Sequence, residues 1–130
     1  MVEVVVSVAV LSIGILSLIT VLPSSMRLAN RSDYLGRASG ILANQIQLAE
    51  AMVLNPSANL APLMGQQPLP DVNPSGQGTG VTGDLTFHVT RTLTDLGNNS
   101  FLVTVKVTWQ GNTTGITESL RVTRQQSFVQ

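Results

Sequence analysis

The 130-residue chain contains no cysteine, which excludes a disulfide scaffold and any zinc or redox site built on thiolates. Only 11% of its residues are charged, and seven basic side chains balance seven acidic ones. This balance gives no electrostatic reason to expect binding to nucleic acid or to another polyanion.

Side chains suited to catalysis are also scarce. His88 is the only histidine, and it lies among threonines on the polar side of a predicted strand, where we expect it to be solvated. The carboxylates are scattered, and no pair has the helical or strand spacing that acid–base chemistry needs. No glycine-rich segment follows a strand and opens a helix, so a phosphate-binding loop is not expected. We therefore expect no enzyme, no catalytic residue, no cofactor and no metal.

One long run without charge stands out at the N-terminus. Residues 4–22 carry no charge and are mostly Val, Ile, Leu and Ala, and Glu3 stands at the head of the run. As a helix this run would be about 28 Å long, close to the thickness of a bilayer's hydrocarbon core. The acidic start and the length of the run argue against a cleaved signal peptide. We expect its surface to be covered by lipid or by copies of the same helix.

Two residues weaken this predicted helix. Gly14 lies near the middle of the run, and Pro23 follows it. Glycine is unfavourable inside a helix, and proline removes a backbone hydrogen bond and clashes with the preceding turn. We predict a kink or a locally unwound stretch between them in the assembled state. The alternative is a straight helix that ends at Leu22, with Pro23 opening a new one.

Residues 24–54 change to an amphipathic pattern. Apolar side chains recur on one stripe of a predicted helix, and most polar side chains lie off it. The stripe comprises Leu28, Leu35, Ala38, Leu42, Ala49 and Met52, and it is widened by Ile41, Leu48 and Val53. Asn55-Pro56 ends the helix, because the residue before a proline disfavours helical conformation. This half of the helix needs a partner surface on one side only.

The remainder predicts a loop followed by a small sheet. Residues 55–83 are rich in Gly and Pro and predict a long connector, in which Leu60, Leu63 and Met64 could form a short helical turn or an anchor. Three alternating segments, 84–93, 101–110 and 116–125, predict an antiparallel meander with one apolar face, where Val105 points inward and Lys106 outward. The amphipathic half of the helix is the only segment able to cover that face.

These patterns predict an α+β fold, with one long N-terminal α-helix packed on a three-stranded antiparallel sheet. The predicted divisions are an apolar half-helix (1–23), an amphipathic half-helix (24–54), a Gly/Pro-rich loop (55–83) and the sheet (84–130). Residues 24–130 are expected to form one globular head.

This architecture resembles type IV pilins and the pseudopilins of type II secretion. The similar segments are residues 1–6, with Glu3 among them, and residues 13–16, 42–50 and 103–109. Residues 13–16 look more like those of minor pilins and small pseudopilins, and the cysteine pair of many major pilins is absent. The resemblance implies that two residues precede Met1 in the mature chain.

The resemblance also implies a function and partners. The chain would be a structural subunit of a pilus-like extracellular filament, polymerising with copies of itself through the apolar helix. It would be held in the inner membrane before assembly, cut by a prepilin peptidase and polymerised by an inner-membrane machinery. A minor pilin or a secretion pseudopilin remains an alternative, and so does a membrane-tethered binding module that never polymerises.

Glu3 is the single residue to which we assign a candidate assembly role. An ionised carboxylate in a shared apolar core requires a cation, and no Lys or Arg lies within twenty residues of it in the sequence. The N-terminal amine of the next subunit, created when a leader is removed, would supply that cation. The alternative is an interfacial carboxylate that the helix dipole favours and that has no further role.

Overall fold

A computed structural model describes residues 2–73 and 85–124 of the chain. It has the predicted α+β class, with a long helix α1 (Val2–Leu54) and an antiparallel sheet. The chain divides into two compact units, Met1–Gly36 and Arg37–Gln130, and each is described by itself. The first unit is the N-terminal part of α1. The second contains the remainder of α1, the sheet and the segment between them.

The sheet has four strands and not the three expected from the sequence. A 3₁₀ turn (Ala61–Leu63) leads into β1 (Gly65–Pro68), which is followed by β2 (Phe87–Gly97), β3 (Ser100–Trp109) and β4 (Asn112–Thr123). The strands lie side by side in sequence order, and each neighbouring pair is antiparallel. The predicted helical turn near Leu60 and Leu63 is confirmed.

The missed strand is β1, which lies inside the predicted loop. Its sequence, Gly-Gln-Gln-Pro, has neither the alternation nor the β-branched residues by which strands are identified. It pairs through its backbone with β2, in the register Gly65↔Leu93 to Pro68↔Thr90. Because β1 is an edge strand, it can contain a proline without losing a bond inside the sheet. The sequence predicted one strand too few because β1 forms through backbone pairing, and its side chains show no strand pattern.

Tight turns set the register of the two hairpins. Asn98 and Asn99 connect β2 to β3 with φ values of 52° and 57°, the paired left-handed conformation that asparagine tolerates in two-residue hairpins. Near the β3–β4 hairpin, Gly115 has φ of 67°, and a Cβ added there would lie 2.2 Å from the carbonyl oxygen of Val107. Only glycine fits at that position.

The predicted faces of the sheet are confirmed. On the inner face Val103, Val105 and Val107 of β3 are completely buried, while Lys106 on the outer face is exposed. At one end of this face the rings of Phe87 and Trp109 pack at a centroid distance of 5.9 Å. Alternation along each strand therefore separates the core from solvent.

Within the second unit the C-terminal part of α1 covers this inner face. Its buried residues recur every three or four positions, which places them on one side of the helix. They are Ala38, Leu42, Ile46, Ala49 and Val53. The predicted stripe began too early, since Leu28 is 70% exposed, and two of its later members, Leu48 and Met52, are 47% and 42% exposed. The prediction also omitted Ile46, although its spacing from Leu42 and Ala49 places it on the same side of the helix.

Candidate functional site: an exposed apolar helix surface

The first unit presents a continuous apolar surface that the described residues of the chain leave uncovered. We call it the N-terminal apolar surface, and its large side chains are each 50–78% exposed. They are Val2, Val4, Val5, Val6, Val8, Val10, Leu11, Ile13, Ile15, Leu16, Leu18, Ile19 and Val21. An 18-residue window of α1 has a mean hydropathy of 2.7, and none of it is buried. By length and composition the helix could span a membrane.

Glu3 lies in the first turn of α1, at the head of this surface. Its side chain is exposed, and no ion pair joins its carboxylate to a described residue. The position near the positive end of the helix dipole favours a negative charge there. The carboxylate therefore projects from the N-terminal end of an apolar helix and is available to a cation from outside the chain.

The serines of this helix satisfy their own hydroxyl groups. The hydroxyls of Ser7, Ser12 and Ser17 donate to the backbone carbonyls four residues earlier, at 2.9, 2.7 and 2.8 Å. A serine bonded in this way needs no water to satisfy its donor. These residues therefore add little polarity to the surface and are small enough to let another helix approach.

Gly14 and Pro23 both lie inside α1, which is helical from Val2 to Leu54 in the single chain. Pro23 has no N–H to donate to the carbonyl of Ile19, so one bond of the helical ladder is missing by chemistry alone. A Cβ added at Gly14 would have no neighbouring atom within 4 Å. The alternative in which the helix ends at Leu22 does not occur in the single chain. The break predicted for the assembled state stays a prediction.

In the second unit, the expected solvation of His88 is confirmed, although the residue has a partner that sequence did not indicate. Its side chain is 60% exposed, and Nδ1 lies 2.8 Å from Oδ1 of Asp71, which is 52% exposed. Asp71 reaches β2 because Leu69 and Val72 bond to the backbone of that strand. A pair this open to water is screened and contributes little to stability.

Two arginines have roles that sequence analysis did not find. Arg124, next to the end of β4, donates from Nε to the carbonyl of Val53 and from Nη2 to those of Asn55 and Ala58. Arg91, on β2, is buried beneath α1. Strand alternation placed Arg91 on the inner face with Val89 and Leu93. A charged residue at an inward position was the sequence feature that could have indicated its burial. Nothing in the sequence distinguished Arg124.

No cluster of three or more His, Asp or Glu side chains able to hold a metal ion occurs in residues 2–73 and 85–124. Within those ranges, the best candidate for contact with a membrane or with another chain is therefore the N-terminal apolar surface with Glu3 at its head. No family model, no curated protein and no solved structure significantly matches this chain.

Proposed function

We propose that this chain is a structural subunit of a type IV pilus-like extracellular filament. In this proposal the first unit is held in the inner membrane before assembly. It then becomes part of a shared core of helices contributed by copies of the same chain. A prepilin peptidase and an inner-membrane assembly machinery are the partners that the resemblance in residues 1–16 implies.

The observation that carries the proposal is the N-terminal apolar surface, whose 18-residue window is entirely unburied. Leaving such a surface in water is unfavourable, at about 25 cal/mol for each Å² of apolar area. Lipid covers it in a membrane, and identical helices cover it in a filament. Because the same helix would be stable in a membrane and in a filament core, its apolar surface supports the proposal of a subunit that moves from the membrane into the filament.

Glu3 supplies the second argument. Moving this carboxylate into a core of packed helices costs several kcal/mol unless a cation meets it. We propose that the cation is the N-terminal amine of the next subunit. Such pairing would set the axial register of the polymer, because a helix displaced by one turn leaves both charges unmatched.

Two other functions use the same surface. A minor pilin or a type II secretion pseudopilin would enter a filament in small numbers or form a short secretion piston, and residues 13–16 favour this alternative. A membrane-tethered binding module would keep the helix in lipid permanently. The two differ in whether α1 ever leaves the membrane.

The experiment compares Glu3→Ala with the wild-type chain in cells that contain its own assembly machinery. We expect the variant to reach the membrane fraction at the wild-type level and to enter shed filaments at about a tenth of the wild-type yield or less. Glu118→Ala is the matched control, because it removes an exposed carboxylate from β4 and leaves α1 intact. It should form filaments normally.

Co-expression of Glu3→Ala with the wild-type chain adds a second measurement. We expect mixed filaments with a low content of the variant, measured by mass spectrometry of the purified filaments. Wild-type filament yield from Glu3→Ala alone would contradict an assembly role for the charge. If the wild-type chain remains in membranes and forms no filament, the tethered module is the correct function.

A further inference from the structure

Met52, near the C-terminal end of α1, contacts a buried cation on the sheet. Its sulfur accepts a hydrogen bond of 3.4 Å from Nη1 of Arg91 on β2. Arg91 is only 7% exposed, and it lies on the inner face of the strand between Val89 and Leu93. A thioether is a weak, uncharged acceptor, whereas a guanidinium carries five N–H donors. Within the described part of the chain, no carboxylate forms an ion pair with Arg91.

The space beside this contact is too small for a ligand. Its volume is about 10 Å³, and apolar side chains of α1, the 3₁₀ turn and β2 line it together with Met52 and Arg91. A water molecule needs at least about 10 Å³, so the space accepts no more than one added oxygen atom. Any stronger acceptor for the guanidinium would therefore have to form on a side chain that is already in place.

The sulfur of Met52 is suited to such a change. Met52 is 42% exposed, whereas Met64, the other methionine of the second unit, is half-buried. Oxidation converts the apolar thioether of methionine into a polar sulfoxide. The sulfoxide oxygen carries a partial negative charge, so it is a much better acceptor for a guanidinium than the sulfur is.

We propose that Met52 is an oxidation site, and that its sulfoxide bonds to Arg91 and strengthens the contact between α1 and β2. The oxidant is hydrogen peroxide. A lone pair of the sulfur attacks one peroxide oxygen, the O–O bond breaks, and a new S–O bond forms. The proton of the transferred oxygen moves to the departing hydroxide, which leaves as water. The sulfur thereby loses the two electrons that reduce the peroxide.

Oxidation at this site has the opposite effect from oxidation in an ordinary apolar core. There, a sulfoxide is destabilising because a polar group is buried without a partner. Here the flexible side chain of Met52 can rotate about its Cγ–Sδ bond and bring the oxygen to Nη1 of Arg91. A charge-assisted hydrogen bond then replaces a weak one. The site lies in the second unit and does not depend on the proposed filament function.

The test compares melting temperatures of the full chain in maltoside micelles before and after treatment with hydrogen peroxide. Every chain carries Met64→Leu, which leaves Met52 as the only methionine of the second unit. Mass spectrometry measures the sulfoxide at Met52, and the fluorescence of Trp109 follows the unfolding of the sheet. We expect the oxidised chain to melt about 4 °C higher, as one charge-assisted hydrogen bond would produce in a unit of this size.

Two variants assign the shift to the Met52–Arg91 pair. Met52→Leu cannot form a sulfoxide at this position, so peroxide should leave its melting temperature unchanged. Arg91→Leu removes the donor, so oxidation of Met52 should then lower the melting temperature, because the sulfoxide faces apolar side chains alone.

A permanent acceptor should act in the same way without any oxidant. Met52→Gln places an amide oxygen near the position of the sulfoxide oxygen, so it should melt at a higher temperature than Met52→Leu. This difference should disappear in chains that also carry Arg91→Leu. Leu48→Gln is the matched control, since Leu48 is 47% exposed on α1 and its replacement should not raise the melting temperature.

Four results would overturn the proposal. The first is the absence of sulfoxide at Met52 under conditions that oxidise free methionine. The second is an unchanged or lower melting temperature once Met52 is oxidised. The third is the same rise on oxidation in Arg91→Leu, and the fourth is a melting temperature of Met52→Gln no higher than that of Met52→Leu.

Discussion

The guanidinium of Arg124 donates a hydrogen bond of 2.8 Å to the backbone carbonyl of Val53, 71 positions earlier in the chain. The same side chain bonds to the carbonyls of Asn55 and Ala58, at 2.7 and 3.3 Å. The last turn of α1 contains no basic residue of its own. Arg124 therefore supplies the cation and the donors that the C-terminal end of a helix lacks, and it joins the end of β4 to the end of α1.

We predict that Arg124→Leu lowers the free energy of unfolding of the second unit by about 2 kcal/mol, because three carbonyls lose a charged donor. Denaturant titrations of the full chain in micelles measure this through the fluorescence of Trp109, the only tryptophan. Arg121→Leu is the control, since Arg121 is exposed on β4 and should change stability by less than about 0.5 kcal/mol. Equal effects of the two changes would show that the Arg124 bonds contribute nothing.

The sheet's inner face gives a second prediction. Val103 is completely buried opposite Leu93 and Leu120, so Val103→Asp places a charge among apolar side chains. We expect a loss of about 4 kcal/mol or more, while Lys106→Asp on the outer face should cost less than about 1 kcal/mol. The same Trp109 titrations measure both changes. Comparable losses would mean that the assignment of faces is wrong.

Val105→Asp tests the neighbourhood of Arg91 in the same way. Val105 is as deeply buried as Val103, but it lies directly opposite Arg91 in the β2–β3 register. A carboxylate there has the buried cation of Arg91 beside it on β2, while Glu118 on β4, also opposite, is exposed and its charge is screened by water. We therefore predict that Val105→Asp is less destabilising than Val103→Asp. A larger loss for Val105→Asp would show that Arg91 cannot reach a partner on the adjacent strand.

A fourth prediction concerns the β3–β4 hairpin. Gly115→Ala both forces a side chain into left-handed backbone and brings its Cβ within 2.2 Å of the Val107 carbonyl oxygen. We expect a loss of about 3 kcal/mol, from backbone strain and overpacking together. Gly111→Ala is the matched control, because φ is 87° but no atom lies within 4 Å, and only the strain of about 1–2 kcal/mol remains. Thermal unfolding that ranks the two changes equally would contradict the steric argument.

The last prediction is the break in α1 on assembly. If residues 14–23 lose helical bonding in filaments, their solid-state NMR chemical shifts should be non-helical there and helical in micelles. Pro23→Ala restores the missing N–H and should return the segment toward helical shifts within the filament. Helical shifts throughout residues 4–54 in wild-type filaments would exclude the break.

Much of this fold could be predicted from the sequence, because local periodicity reports the faces of helices and strands. The apolar run, the amphipathic segment after it and the alternation around Val105 each require only neighbouring residues to be recognised. β1 could not be found in this way, since residues 65–68 form a strand only because an unpaired edge of β2 is available. Because β1 forms through backbone pairing with a distant segment, its side chains need not show a periodic pattern.

The same division applies to the sites. The sequence by itself determined the N-terminal apolar surface and the position of Glu3 at its head, because an uninterrupted apolar run needs no tertiary contact to be apolar on every side. Only the tertiary structure decided that Arg91 is buried against Met52 of α1, and that Arg124 bonds to the end of α1. Both properties depend on contacts between residues that lie 39 and 71 positions apart in the sequence. Local sequence patterns do not indicate which distant segments come into contact.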